Sequence, residues 1–247
     1  MPTDSRTQLV EFNWYDVSST SPVDDWLSLC AQHLPAATPR RYGTYEPLPH
    51  RLDDPAALSK LTEVDDLVFF STTAPYVGGT FSRSPGIWTT EVSMLAPPLR
   101  EPTSRSAAHD LFVAYAARRN CFLATAEVVT GVGWNGRSVW YDERSQSTVR
   151  LDDNEGRFLG LTPYPVWWTW YGAAYRELVE PHLDPVELEE HPGGLFHQAT
   201  AHTVRRSKLP DPLPAELRTH SARRDLGRYP VPVRPAAIIP TGLPGQS

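Results

Sequence analysis

Cysteine and methionine are scarce, with two of each in 247 residues. Cys30 and Cys121 are too few for a disulfide framework. Both sit in apolar patterns and read as buried free thiols, which suits a reducing compartment, the cytoplasm. No run of about 18 apolar residues occurs, so no membrane-spanning helix is expected. The N-terminal MPTDSRTQLV has no basic stretch leading into an apolar core, and no secretory signal is read there. Basic residues are outnumbered: 23 Lys and Arg stand against 29 Asp and Glu, a net charge of −6. General nucleic-acid binding needs a basic face that displaces counterions, which this balance disfavours. It suits a basic protein partner instead.

Catalytic signatures are missing as well. There is no G-x-S-x-G elbow, and neither cysteine has a polar frame to activate it. Gly78-Gly79 is not followed by Lys-Ser/Thr, so it forms no phosphate loop. Gly131, Gly133 and Gly136 open no helix of a dinucleotide fingerprint. The carboxylate pairs Asp24-Asp25, Asp53-Asp54 and Asp65-Asp66 stand at element starts, where acids cap helices and turns. One metal candidate exists: His191, His197 and His202, with Glu189 or Glu190 beside them, a donor set that suits zinc. Its spacing is poor, because His197 and His202 would point to opposite faces of a strand. No cofactor and no metal are expected.

Aromatic side chains are abundant, with 8 Trp, 10 Tyr and 8 Phe. They concentrate in GLTPYPVWWTWYGAAYRELVEPHL, residues 160–183. Pro163 and Pro165 keep the entry extended, and Pro165 suits the first turn of a helix. From there the spacing of Trp168, Tyr171, Tyr175, Leu178 and Val179 predicts a helix with one apolar face, ended at Pro181. Two readings of the rings are open. They form core, with polar tips finding partners, or part of the cluster is an exposed binding surface. Trp167 and Trp170 lie off the stripe and are the ones placed to face a partner.

The remainder alternates between strand and helix signals. Residues 8–15 read as a strand. Ser21 caps a helix with Asp24 at capping-box spacing and Val23, Trp26, Leu27, Cys30 and Leu34 inward. A short helix starts at Asp54-Pro55. Residues 66–73 read as a central strand, 74–86 as a glycine-bearing loop, and 87–95 as a half-exposed strand. A helix runs from about Thr103 to Asn120, and a strand from Cys121 to Val129. A hairpin is read over 138–151, a strand over 195–202 and a short helix over 214–219. This order predicts an α+β single domain, a mixed or antiparallel sheet with helices packed mainly on one face. The domain spans 1–228, and a proline-rich extended tail spans 229–247.

The segment PRRYGTYEPLPHRL, residues 39–52, interleaves Arg40, Arg41 and Arg51 with Tyr42, Tyr45 and Glu46 in a proline-rich loop. It reads either as a surface loop clamped by its tyrosines or as a recognition loop. The motifs PRRYGTYEP (39–47), PYVGGTF (75–81) and TPYPVWWTWYGAAYRELV (162–179) resemble the α+β immunity proteins of bacterial polymorphic toxin systems. The resemblance is to the group encoded beside restriction-endonuclease-fold toxins, and it covers a minority of the chain. The proline, arginine and alanine usage is similar to that of high-GC actinobacteria. The resemblance implies a cytoplasmic protein that neutralises a cognate nuclease-type toxin by binding it, with no catalysis of its own. The contacts read for such a partner are Arg41, Tyr42, Tyr45, Glu46, Trp167 and Trp170. Two alternatives stay open: an enzyme or metal-dependent protein with a site near His191, His197 and His202, and a phage or accessory structural protein.

Overall fold

The computed structural model describes residues 8–134, 139–141, 151–153, 155–221 and 233–245. In chain order the elements are β1 (Gln8–Asp16), α1 (Val23–His33), β2 (Arg41–Gly43), β3 (His50–Arg51), α2 (Pro55–Val64), β4 (Leu67–Ser71), β5 (Tyr76–Ser84) and β6 (Ile87–Leu95). They continue with α3 (Pro102–Arg118), β7 (Leu123–Thr130), β8 (Val132–Trp134), β9 (Val139–Tyr141), β10 (Trp168–Gly172), α4 (Arg176–Val179), β11 (Leu188–His191), β12 (Gly194–Gln198), β13 (His220–Ser221) and β14 (Val233–Arg234). Ten strands form one antiparallel sheet in the order β11-β12-β10-β7-β1-β6-β5-β4-β2-β3. β13 with β14, and β8 with β9, form two small ladders of their own. The fold is α+β in a single domain.

β1 sits near the middle because its pattern is apolar on one face and polar on the other. Val10, Phe12 and Trp14 point to the helix side, where Trp26 of α1 and Phe112 and Tyr115 of α3 meet them. The Trp14 ring lies 5.5 Å from Trp26 and 5.4 Å from Phe112, and its N–H donates to the Phe112 carbonyl at 3.0 Å. Burying these rings supplies the main apolar driving force, and bonding the indole N–H removes the cost of hiding it. α2 begins with Pro55 after Asp54, whose carboxylate accepts the Ala56 N–H at 2.9 Å. α3 likewise opens on a proline, Pro102.

The second face carries Tyr15, Leu123, Tyr171 and Leu195, covered by irregular segments rather than long helices. Phe158, Leu161, Leu213, Leu217 and Leu243 pack there. Part of the proline-rich C-terminal stretch takes part: the Ala236 N–H donates to Leu159 and the Ile238 N–H to Glu216, both at 2.8 Å.

Several elements differ from the sequence reading. The helix expected from Pro165 is strand β10, followed by the single helical turn α4. Its neighbours explain the change. Trp168 and Trp170 face the helices beside Phe196, while Thr169 and Tyr171 face the other side, so the run is covered on both faces. The loop expected at 74–86 is β5, hairpin partner of β6. Its Gly79 lets the backbones approach, since a Cβ there would lie 2.0 Å from the Glu91 carbonyl oxygen. The 39–52 loop contains the short strands β2 and β3. Asp24 bonds Ser59 of α2 instead of completing a capping box. Most of the hairpin expected over 138–151 lies outside the described residues.

Candidate functional site

The predicted contact residues separate into two groups. Arg41, at the start of β2, and Tyr45 and Glu46, on the turn between β2 and β3, are exposed at one edge of the sheet. Tyr45 is 63% exposed, and the Arg41 guanidinium holds the turn by donating to the Leu48 carbonyl at 2.8 Å. Tyr42 is buried under the same turn, with its ring 5.3 Å from His50. Trp167 and Trp170 are core residues far along the sheet, each 0% exposed. The Trp167 N–H donates to the Thr200 carbonyl at 2.9 Å and the Trp170 N–H to the Cys121 carbonyl at 3.0 Å. Trp167 stacks on Trp168 with centroids 4.1 Å apart. The three tryptophans are therefore core with bonded N–H groups, although the buried Tyr175 hydroxyl of the same cluster has no partner among the described residues, and neither Trp167 nor Trp170 presents a surface in this structure.

The three histidines of the metal candidate each have a different neighbour. His191 Nε2 lies 3.4 Å from Glu189, His197 Nε2 lies 3.3 Å from Glu187, and His202 Nδ1 lies 3.3 Å from Arg105 of α3. His191 packs on the Trp170 ring, on the helix side, while His197 lies with Thr169 on the other side. Among the described residues, no group of three or more His, Cys, Asp or Glu is placed to hold a metal ion.

A polar row crosses the second face, and the sequence reading did not find it. Thr80, Glu91, Asn13, Thr125, Thr169 and His197 are successive cross-strand partners on β5, β6, β1, β7, β10 and β12. Asn13, Thr125, Thr169 and His197 are buried. Beside them, Glu11 of β1 faces Glu127 of β7. The Glu127 carboxylate receives Arg206 at 2.5 Å and the Tyr164 hydroxyl at 3.4 Å, and the Arg206 guanidinium lies 3.2 Å from the centre of the Tyr164 ring. Burial raises the Glu127 carboxyl above its ordinary range, opposed by Arg206 and Tyr164. Burial raises Glu91 too, helped by the charge of Glu127. His197 moves down, since burial disfavours its cation and Glu187 only partly offsets that. Strand alternation in β1, with Glu11, Asn13 and Tyr15 interleaving Val10, Phe12 and Trp14, was the available signal.

The cavities found beside this row and on the helix side are small. The cavity lined by Thr125, Thr169, His197 and Arg218 has a volume of about 20 Å³. A second, among Trp14, Trp26 and Tyr76 on the helix side, has about 10 Å³. Such volumes suit a water molecule; metabolite sites need roughly 300 Å³ or more.

No family model matches the chain, and no curated protein matches it. Among solved structures, the Pseudomonas aeruginosa T6SS protein PA0821 has the same fold. It superposes with a TM-score of 0.50 at 13% identity, over 85% of this chain and 71% of that one. At this identity the likeness is one of fold. No helix among the described residues is long and apolar enough to cross a membrane.

Proposed function

We propose that this chain is a non-enzymatic binding protein that neutralises a cognate nuclease-type toxin by direct contact, an immunity protein. The observation that carries the reading is the fold held in common with a T6SS protein over most of the chain. Two features support it. The motifs at 39–47, 75–81 and 162–179 resemble those of immunity proteins, and the net charge of −6 complements the basic surface a nuclease presents to its substrate. Arg41 of β2, with Tyr45 and Glu46 of the β2–β3 turn, are the accessible contacts. Tyr42 supports that turn from beneath, and Trp167 and Trp170 hold the sheet that carries it. The partner is a protein; nucleic acid and membrane are not. The site of action is the cytoplasm, where a nuclease would find its substrate.

Co-expression tests this. The chain is produced in cells together with the proposed partner, a cognate nuclease-type toxin domain. Rescued growth and a co-purifying complex are expected. Unrelieved toxicity, with the chain folded and abundant, would contradict the reading.

A further inference from the structure

β11 closes the ten-stranded sheet at the end opposite the β2–β3 turn. Its inner side pairs with β12, and among the described residues no strand lies along its outer side. Along that side alternate residues direct N–H and C=O groups outward, which is a template for another strand.

The side chains around this edge have one dominant charge. Glu189 approaches His109 of α3 at 3.3 Å and so lies on the helix face. Glu190 reaches the guanidinium of Arg176 at 2.9 Å, on the other face. The segment leading into the edge adds Glu177, Glu180, Asp184 and Glu187, so residues 176–190 hold six carboxylates and one guanidinium, that of Arg176. All six are exposed except Glu187, which is half-buried. Amid them stands Val186, 91% exposed, the most exposed large apolar side chain among the described residues. An accessible apolar residue ringed by charge is the layout of an interface anchor and its rim.

Unpaired backbone flanked by carboxylates on both faces selects its occupant. A second copy of this edge would set like charges across from each other, which is unfavourable. Nucleic acid would be repelled along its phosphates. An extended basic segment satisfies the backbone groups and brings cations to both faces. We propose that β11 is the docking edge for an extended, Lys- and Arg-rich segment of a partner protein, which adds to the sheet as a further strand. The identity of that partner as a toxin rests on the function proposed above; the chemistry of the edge does not. The acids thereby serve two ends, barring self-association and admitting the basic strand.

Two experiments test the edge and keep the two proposals apart. In the first, the full chain is mixed with a strand-length synthetic peptide of alternating valine and lysine, and with its valine–glutamate counterpart. Amide hydrogen exchange at Leu188–His191 is expected to slow with the lysine peptide. The slowing should fade at high salt and be lost in Glu189→Lys/Glu190→Lys. No protection, or equal protection by the glutamate peptide, would overturn the edge. In the second, the toxin domain is titrated against the wild-type chain and this double variant, after a thermal melt has shown both to be folded. A loss of at least about tenfold in affinity is expected for the variant. Unchanged toxin binding by the variant would overturn the docking edge and leave neutralisation standing. Failure of the wild type to bind the toxin would instead overturn the function, and the peptide experiment would still decide the edge.

Discussion

Arg119 shows what a single charged residue does inside this fold. Its guanidinium meets both oxygens of Asp16, at 2.9 and 3.1 Å, and also reaches Asp25 at 3.3 Å and the Thr20 carbonyl at 2.9 Å. The Arg119 and Asp16 side chains are 2% and 1% exposed. Together these bonds tie the end of β1 to the start of α1 and the end of α3. Even so, burial raises the Asp16 carboxyl, so this carboxylate depends on its partner. Arg119→Met leaves Asp16 buried and uncompensated. A loss of about 3–5 kcal/mol is expected in urea unfolding. Arg119→Lys should lose less, because it keeps the charge but not the paired geometry.

The raised carboxyl of Glu91 makes a second prediction, with the opposite sign. Its folded value lies above its unfolded value of 4.5, so the fold favours the protonated form. Below the unfolded value that preference has no cost. As pH rises through it, ionisation beside Glu127 makes the fold progressively less stable than it would otherwise be. Glu91→Gln should therefore melt higher than wild type at about pH 7.5, with the gain much reduced at about pH 4. An equal gain at both values would show that the substitution acts through packing, not charge.

Among the elements, β10 is the one the sequence reading took for a helix. Trp168, Tyr171 and Tyr175 fit a helical stripe, yet a run apolar on all sides also fits a strand covered on both faces. Length and flanks were the better guide: Pro165 shortly before it and Gly172 at its end bound a five-residue element rich in residues that favour strands. By contrast, β1, α1, α2, β6, α3 and β7 were legible, because alternation or a capped amphipathic stripe marked each. β5 was hidden by Gly78 and Gly79, which read as loop but allow close approach to the neighbouring strands, Gly78 to Phe70 of β4 and Gly79 to Glu91 of β6.

The same contrast holds for the site. The exposed turn at Arg41, Tyr45 and Glu46 was legible from its prolines and charges. The burial of Trp167 and Trp170 was not, because it follows from which strands neighbour β10. Neither was the open edge at β11, since strand order is not written in any local pattern. Gly194 tests the β10–β12 contact directly. A Cβ there would sit 2.6 Å from both the Trp170 ring and the Tyr171 carbonyl oxygen. Gly194→Ala should lose about 1–3 kcal/mol in urea unfolding, with the strands forced apart. An unchanged midpoint would mean that the hairpin of β11 and β12 shifts freely.

At the scale of the whole molecule, the helices bury one face of the sheet, irregular segments close the other, and the two cavities described above are each of about the size of a water molecule. The two ends of the sheet stay accessible and differ in character: a tyrosine-bearing turn beside β3, and an acidic edge at β11. The most direct measurement is calorimetric titration of the folded chain with the proposed partner, a nuclease-type toxin domain, run in parallel with an assay of that domain's nuclease activity. The account predicts a one-to-one complex, weakened by salt, in which nuclease activity falls as the chain is added. No heat of binding, and a nuclease that remains fully active with the chain in excess, would contradict it.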